Sequence, residues 1–190
     1  MTDEEETLVS ATQTHTPETL PPPSAELERI FSEHHGRVFA AAYRVTGSAQ
    51  DAEDVLQTVF LRLLKRQHEL DLSPEPGSYL RRAAVNASID LVRARSRARS
   101  IGLDELPSEP EGAPTADPGK RQEDRETRTW LRQAIAQLSP KNAEIFTLRY
   151  LEGVSNQDIA RTLGMSQTAV GVALFRARGQ VKKELRTFVS

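Results

Sequence analysis

The run from Ser155 to Arg178, S-N-Q-D-I-A-R-T-L-G-M-S-Q-T-A-V-G-V-A-L-F-R-A-R, combines hydroxyl caps, a glycine, small apolar groups and a basic exit. Residues of these types at this spacing suit contact with nucleic acid more than bond-breaking chemistry. Ser155 can cap a helix, with Asp158 three residues on where a carboxylate can answer it. Ile159, Ala160 and Leu163 then share one face, and Ala160 is small where a second helix must cross closely. Gly164 can take the positive φ that a tight turn needs, and Ser166 can cap the next helix. Val170, Leu174 and Ala177 continue the apolar stripe. Gln167 and Thr168 stand at the start of that second helix, where a helix-turn-helix reaches base edges. Arg176, Arg178, Lys182 and Lys183 fall largely on other faces, where phosphates can be met. A helical hairpin in an ordinary all-α core would share the pattern, but the paired caps and the small residues at the crossing favour DNA.

Two other groups of side chains invite a chemical reading. Asp54 and Gln57 are three apart and so lie on one helix face, away from the Leu56, Val59, Phe60 and Leu63 stripe. Periodicity alone makes that a solvated face. Asn86 carries an amide able to pair with a base edge or with backbone, and Tyr79 can stack on a base or fill a core. Arg81, Arg82 and the alternating run Arg93, Arg95, Arg97 and Arg99 can meet phosphates. His34-His35 has no further ligand one turn on and the chain has no cysteine, so a surface or partly buried pair is expected rather than a metal site. A Gly-rich phosphate loop and a nucleophile motif are also lacking. We expect no enzyme, no catalytic residue, no cofactor and no metal.

The elements that would position these groups are all helical. Leu27, Ile30, Phe31, Val38, Phe39, Ala42 and Tyr43 recur at three- and four-residue steps from Ser24 until Gly47. Ser48 and Asp51 signal a second start, followed by the apolar face Ala52, Val55, Leu56, Val59, Phe60, Leu63 and Leu64. Asp71 to Gly77, D-L-S-P-E-P-G, reads as a loop, and a third helix is expected from about Ser78 with Leu80, Ala83, Ala84, Ala87 and Leu91 inward. A second body begins near Glu123 with Trp130, Leu131, Ala134, Ile135 and Leu138, and Ser139-Pro140 opens its next helix. Ile145, Phe146, Leu148 and Leu151 face that core until Gly153. The expectation is three helices, a linker and four helices.

Composition agrees. At 190 residues with 37% hydrophobic and 27% charged content, two small helical bodies fit better than one large core. Net charge is only −2, so bulk charge predicts no nucleic-acid partner; its segregation does. Asp3 to Glu6 are acidic, as are Asp104, Glu105, Glu109, Glu111 and Asp117, whereas the arginine run and the C-terminal helix are basic. No apolar run approaches the roughly 20 residues needed to span a bilayer, and the acidic start is unlike a secretion signal. A cytoplasmic location without membrane insertion is expected.

Three segments also carry a family resemblance. D-A-E-D-V-L-Q-T-V-F-L-R-L-L, Asp51 to Leu64, resembles the core-binding segment (region 2.2) of bacterial sigma factors. Y-L-R-R-A-A-V-N-A-S-I-D-L-V-R-A-R-S-R, Tyr79 to Arg97, resembles the segment that opens and reads the −10 promoter element. L-S-P-K-N-A-E-I-F-T-L-R-Y-L-E-G-V-S, Leu138 to Ser155, with the helix-turn-helix after it, resembles region 4, which reads the −35 element. Order and spacing are those of the extracytoplasmic-function (ECF) group of the sigma-70 family. The resemblance implies an all-α chain: an acidic disordered tail over 1–23, region 2 over 24–99, a flexible acidic linker over 100–122 that threads the polymerase cleft, and region 4 over 123–190.

It also implies partners and roles. Asp51, Asp54 and Gln57 would contact core RNA polymerase, through its β′ and β subunits. Tyr79, Arg82, Asn86, Arg93, Arg95 and Arg97 would engage opened promoter DNA at the −10 element. Gln167, Thr168, Gly171, Val172, Arg176, Arg178 and Lys182 would meet the −35 duplex. Relatives are commonly held by an anti-sigma factor. The chain departs from the family at Thr58, where relatives often carry a carboxylate, at Tyr79, often tryptophan, and at Gly171, commonly basic. The region around Leu138 to Ala160 also resembles LuxR-type regulators that act without polymerase. Such proteins usually carry an α/β domain upstream, and residues 24–99 show no strand pattern.

Overall fold

The computed structural model describes residues 22–69, 72, 75–100 and 118–189. The expected tail up to residue 21, the linker over 101–117 and residues 70, 71, 73 and 74 of the loop lie outside them. Helix boundaries follow the caps. The Ser24 hydroxyl accepts from the Leu27 amide at 3.2 Å and starts α1, Ala25–Thr46. Gly47, at φ 70°, ends α1 by donating its N–H to the Tyr43 carbonyl at 2.8 Å. Ser48 accepts from the Asp51 amide at 3.3 Å and starts α2, Ala49–Lys65. The Gln67 side chain then ties the end of α2 back to the chain entering α1, accepting from the Ser24 amide and donating to the Pro22 carbonyl, each at 2.9 Å.

Two helices start earlier than the sequence suggested. α3 spans Pro76–Ser100 and α4 spans Pro118–Gln137, so Pro76-Gly77 and residues 118–122 are helical rather than loop and linker. The physical reason is the same for both. A proline at the first helical position lacks only an N–H that would have no intrahelical acceptor, and its fixed φ suits the helix. α5, Pro140–Tyr150, α6, Asn156–Leu163, and α7, Gln167–Val189, complete the order. Seven helices and no strand occur among the described residues. None of those helices is long and apolar enough to cross a membrane.

α1, α2 and α3 enclose one apolar cluster, with Leu27, Ile30, Val38, Ala42, Val55, Val59, Leu63, Leu80 and Ala84 at its heart. The second cluster is not confined to α4–α7. Val45, Val85 and Ile89 are buried in it together with Ile135, Leu138, Ile145, Phe146, Ile159, Val170 and Leu174. α3 is therefore apolar on two faces. Leu80, Ala84 and Ala87 pack towards α1 and α2, while Val85, Ile89 and Val92, at steps of four and three, pack towards α4 and α5. The sequence reading recognised only the first face. α5 is correspondingly buried from Ala143 through Leu148, because α7 covers one side of it and α3 the other.

Candidate nucleic-acid and partner interface

On α2, Asp54 and Gln57 are exposed and share the outer face as expected. Leu61, one turn beyond Gln57, is 45% exposed on that same face and was not anticipated. It sits outside the Ala52, Val55, Val59, Leu63 stripe, which is the signal that could have found it. The structure corrects the placement of Asp51. That residue is buried, and its carboxylate takes both Nη1 and Nη2 of Arg95 on α3. A bidentate guanidinium–carboxylate pair is a directional, charge-assisted bond, so Asp51 points inward to fasten α2 to α3 instead of facing outward. Arg95 is correspondingly held within the helical body rather than presented with Arg97, which is exposed.

The remaining polar residues of α3 meet the α4–α5 body. Arg82 Nε donates to Glu144 Oε1 of α5 at 2.6 Å, and Asn86 Nδ2 donates to the same oxygen at 2.9 Å. Lys141 Nζ lies 3.6 Å from the other carboxylate oxygen. Burial by itself pushes the Glu144 carboxyl up, but the hydrogen bonds from Arg82 and Asn86 and the charges of Arg82 and Lys141 outweigh it and hold the group below its ordinary value. Arg93 donates to the Leu138 carbonyl at 2.7 Å and the Ala136 carbonyl at 3.4 Å, meeting the carbonyls at the C-terminal end of α4. Tyr79, 39% exposed, opens onto a cleft of about 940 Å³ with Arg37, Arg81, Arg82, Glu152 and Arg161 also on its walls.

α6 and α7 form the expected helix-turn-helix. The Ser155 hydroxyl accepts from the Asp158 amide at 3.1 Å and donates to its carboxylate at 2.6 Å. Gly164 turns the chain at φ 61°, and Ser166 accepts from the Ala169 amide at 3.1 Å to start α7. Ile159, Ala160, Val170, Leu174 and Ala177 are buried where the helices cross. Gln167, Thr168, Gly171, Val172, Arg176, Arg178 and Lys182 are all exposed. So is Phe175, at 72%, a residue missed in the sequence although steps of three and four from Val172 and Gly171 lead to it. Among the described residues, and apart from its chain neighbours and its own helix backbone, nothing lies within 4 Å of where a Gly171 Cβ would stand.

Comparison with known families agrees with this division. The family described as "Sigma-70 region 2" matches residues 30–98, and "Sigma-70, region 4" matches residues 128–181. The RNA polymerase sigma-E factor of Streptomyces coelicolor is 30% identical over 84% of this chain and 86% of its own length. The chain belongs to the ECF group of the sigma-70 family. The ferric citrate uptake sigma factor FecI of Escherichia coli is 32% identical over 77% of this chain and 83% of its own. The ECF sigma factor SigE of Mycolicibacterium smegmatis is 30% identical over 83% of this chain, which spans 61% of that longer relative. Among solved structures, the sigma factor RpoE of Bartonella quintana, determined with the anti-sigma factor NepR, superposes at a TM-score of 0.51 with 16% identity, covering 86% of this chain and 98% of that one. CnrH, determined with the cytosolic domain of CnrY, gives 0.52 with 22% identity over 85% and 88%. Those two likenesses carry the fold.

The region 2 match falls within α1–α3 and the region 4 match within α4–α7, and the contacts just described join the two. Further polar bonds join the same two regions. Arg44 of α1 makes a two-point bond to Glu152 after α5, Nε to Oε1 at 2.8 Å and Nη2 to Oε2 at 2.9 Å. The hydrogen bond to Glu152, with its charge, outweighs the cost of burial and raises the Arg44 pKa above the ordinary arginine value. Arg132 of α4 donates to the Thr46 carbonyl at 3.1 Å. Its Nη1 lies 1.8 Å from where a Gly47 Cβ would stand, so the bare α1 terminus admits this side chain.

Proposed function

We propose that this sigma factor binds core RNA polymerase, directs it to promoters with recognisable −10 and −35 elements, and helps to open them. The observation carrying the reading is the succession, in one chain, of a region 2 with an exposed acidic-polar α2 face and a region 4 ending in a helix-turn-helix. On α2, Asp54, Gln57 and Leu61 are the residues for polymerase, polar groups giving register and the exposed leucine apolar area. On α3, Tyr79 and Asn86 suit unstacked bases, while Arg82, Arg93 and Arg97 suit phosphates. On α7, Gln167 and Thr168 suit base edges, Val172 and Phe175 suit thymine methyl groups, and Arg176, Arg178 and Lys182 suit phosphates. Catalysis stays with the polymerase, and the site of action is the cytoplasm. The complex of RpoE with the anti-sigma factor NepR supports an anti-sigma factor as a further partner.

In vitro transcription with core polymerase on a library of random promoters tests this. Discrete transcripts that depend on the added chain, from templates sharing two spaced elements, are the expected result. Duplex binding with no polymerase-dependent transcript would replace the proposal with a LuxR-like regulator.

A further inference from the structure

We propose that the cleft onto which Tyr79 opens is a binding site for a small diphosphate-bearing molecule of the nucleotide class. At about 940 Å³ the cleft has the size of pockets that enclose a small ligand. Its walls come from α1, the first turns of α3 and the junction of α5 with α6. Five guanidinium groups stand on them, those of Arg37, Arg44, Arg81, Arg82 and Arg161, against the three carboxylates of Glu75, Glu152 and Asp158. The carboxylates are already taken. Glu152 is held at two points by Arg44, and Glu75 accepts from the Ser78 hydroxyl at 3.2 Å. Asp158 accepts from the Ser155 hydroxyl at 2.6 Å and pairs with Arg161 at 3.3 Å.

Arg37 and Arg81 are left over. Neither has a hydrogen-bond or ion-pair partner among the described residues. Arg82 meets Glu144 through Nε and Arg161 meets Asp158 through Nη2, so both keep further N–H groups available. Arg37 of α1, Arg81 of α3 and Arg161 of α6 thus bring positive charge to one concavity from three helices. Concave walls focus the field of such like charges, and a counterion of more than one charge relieves their repulsion. A diphosphate supplies that charge, and its oxygens match the planar fork of a guanidinium. Tyr79 adds a flat surface. Its ring is 39% exposed on the wall and stacks on no other aromatic side chain among the described residues, so a base can lie against it. The Arg44–Glu152 and Arg82–Glu144 bonds hold α1 and α3 against the α5–α6 end, which leaves the site formed before any ligand arrives. A duplex is too wide for this cleft, whereas a single nucleotide is not.

The test titrates ADP, GDP and inorganic pyrophosphate into the full chain by isothermal calorimetry, without magnesium. ADP or GDP is expected to bind once per chain, about tenfold more tightly than pyrophosphate, the gain from one base stacked on an aromatic ring. Arg37→Ala and Arg81→Ala should each weaken nucleotide and pyrophosphate alike by about fivefold or more. Arg62→Ala, exposed on α2 and outside the cleft, should weaken neither. Tyr79→Ala should bring the nucleotides down to the affinity of pyrophosphate and leave pyrophosphate where it was. None of these four side chains is buried, so the variants should keep native circular dichroism. Absence of saturable binding, an equal loss in Arg62→Ala, or pyrophosphate binding as tightly as the nucleotides overturns the proposal. A short single-stranded oligonucleotide without terminal phosphates that binds more tightly than ADP, with the same dependence on Arg37 and Arg81, assigns the cleft to a DNA strand and overturns it too. Neither polymerase nor promoter enters the assay, so the promoter-reading role proposed for α3 stands or falls on its own test.

Discussion

Asn86 shows how much a single residue's role depends on the company it is given. Its amide sits half-buried on α3 with Glu144 as partner, and nothing in its own helix requires it to be polar. If it reads a base, Asn86→Ala should slow open-complex formation by the equivalent of about 1–3 kcal/mol on a cognate promoter, since one good base contact is worth that much. The variant should keep native circular dichroism and normal binding to core polymerase. A loss of folding instead would make the residue structural. Asp54 separates the other activity of region 2. Asp54→Arg reverses a charge on the exposed α2 face without touching the apolar stripe beneath it, so core affinity should drop while single-strand binding stays. Asp51→Ala should behave differently again, loosening α2 from α3 and lowering the melting temperature, because it leaves Arg95 without its bidentate acceptor. Undiminished core binding by folded Asp54→Arg would remove that face from the proposal.

At the scale of the helix, α7 presents mostly charge and apolar surface to its partner. Gln167 and Thr168 supply its hydrogen-bonding reach near the start, whereas Gly171, Val172 and Phe175 offer none. Arg176→Ala and Arg178→Ala should therefore weaken binding to all duplexes alike, each lost phosphate contact lowering the log-log salt slope by about 0.9. Gly171→Lys should tighten duplex binding, since the position opens into free space and glycine costs a helix interior about 1 kcal/mol relative to alanine. A salt slope that does not move in the arginine variants would detach this helix from the phosphates. Element by element, the sequence was readable wherever a local signal existed. Ser24, Ser48, Ser139, Ser155 and Ser166 mark helix starts through their own hydroxyls, and the α2 and α7 stripes are periodic. What was not readable depended on a partner helix. Pro76 and Pro118 looked like loop residues because proline both breaks and begins helices. Val85, Ile89 and Glu144 carry no local signal of burial, because each is buried only where α3 and the α4–α5 body cover one another.

Across the whole molecule, regions 2 and 4 are joined by an apolar stripe, a buried carboxylate and a polar rim, and these respond differently to solution conditions. Arg44–Glu152 joins a half-exposed guanidinium to a carboxylate only 2% exposed, so salt screens it less than it would a surface pair. Acid acts on Glu144. The charged groups facing it are Arg82 from α3 and Lys141 from its own helix. Its value in the closed, folded protein lies below the ordinary 4.5 of a solvated glutamate. A depressed carboxyl binds protons less readily when folded than when unfolded, so it contributes stability above the ordinary value and loses that contribution as pH falls through the depressed one. Between pH 6 and 5 the melting temperature should thus be insensitive to this group. Below the ordinary value it should fall more steeply in the natural protein than in Glu144→Gln, whose amide keeps the volume but cannot take up the proton. The variant should begin lower at pH 7, having exchanged a charge-assisted bond for a neutral one. Thermal unfolding followed by circular dichroism from pH 7 to 3 reads both effects, and parallel acid limbs for the two proteins would show that Glu144 is not the group through which acid loosens this interface.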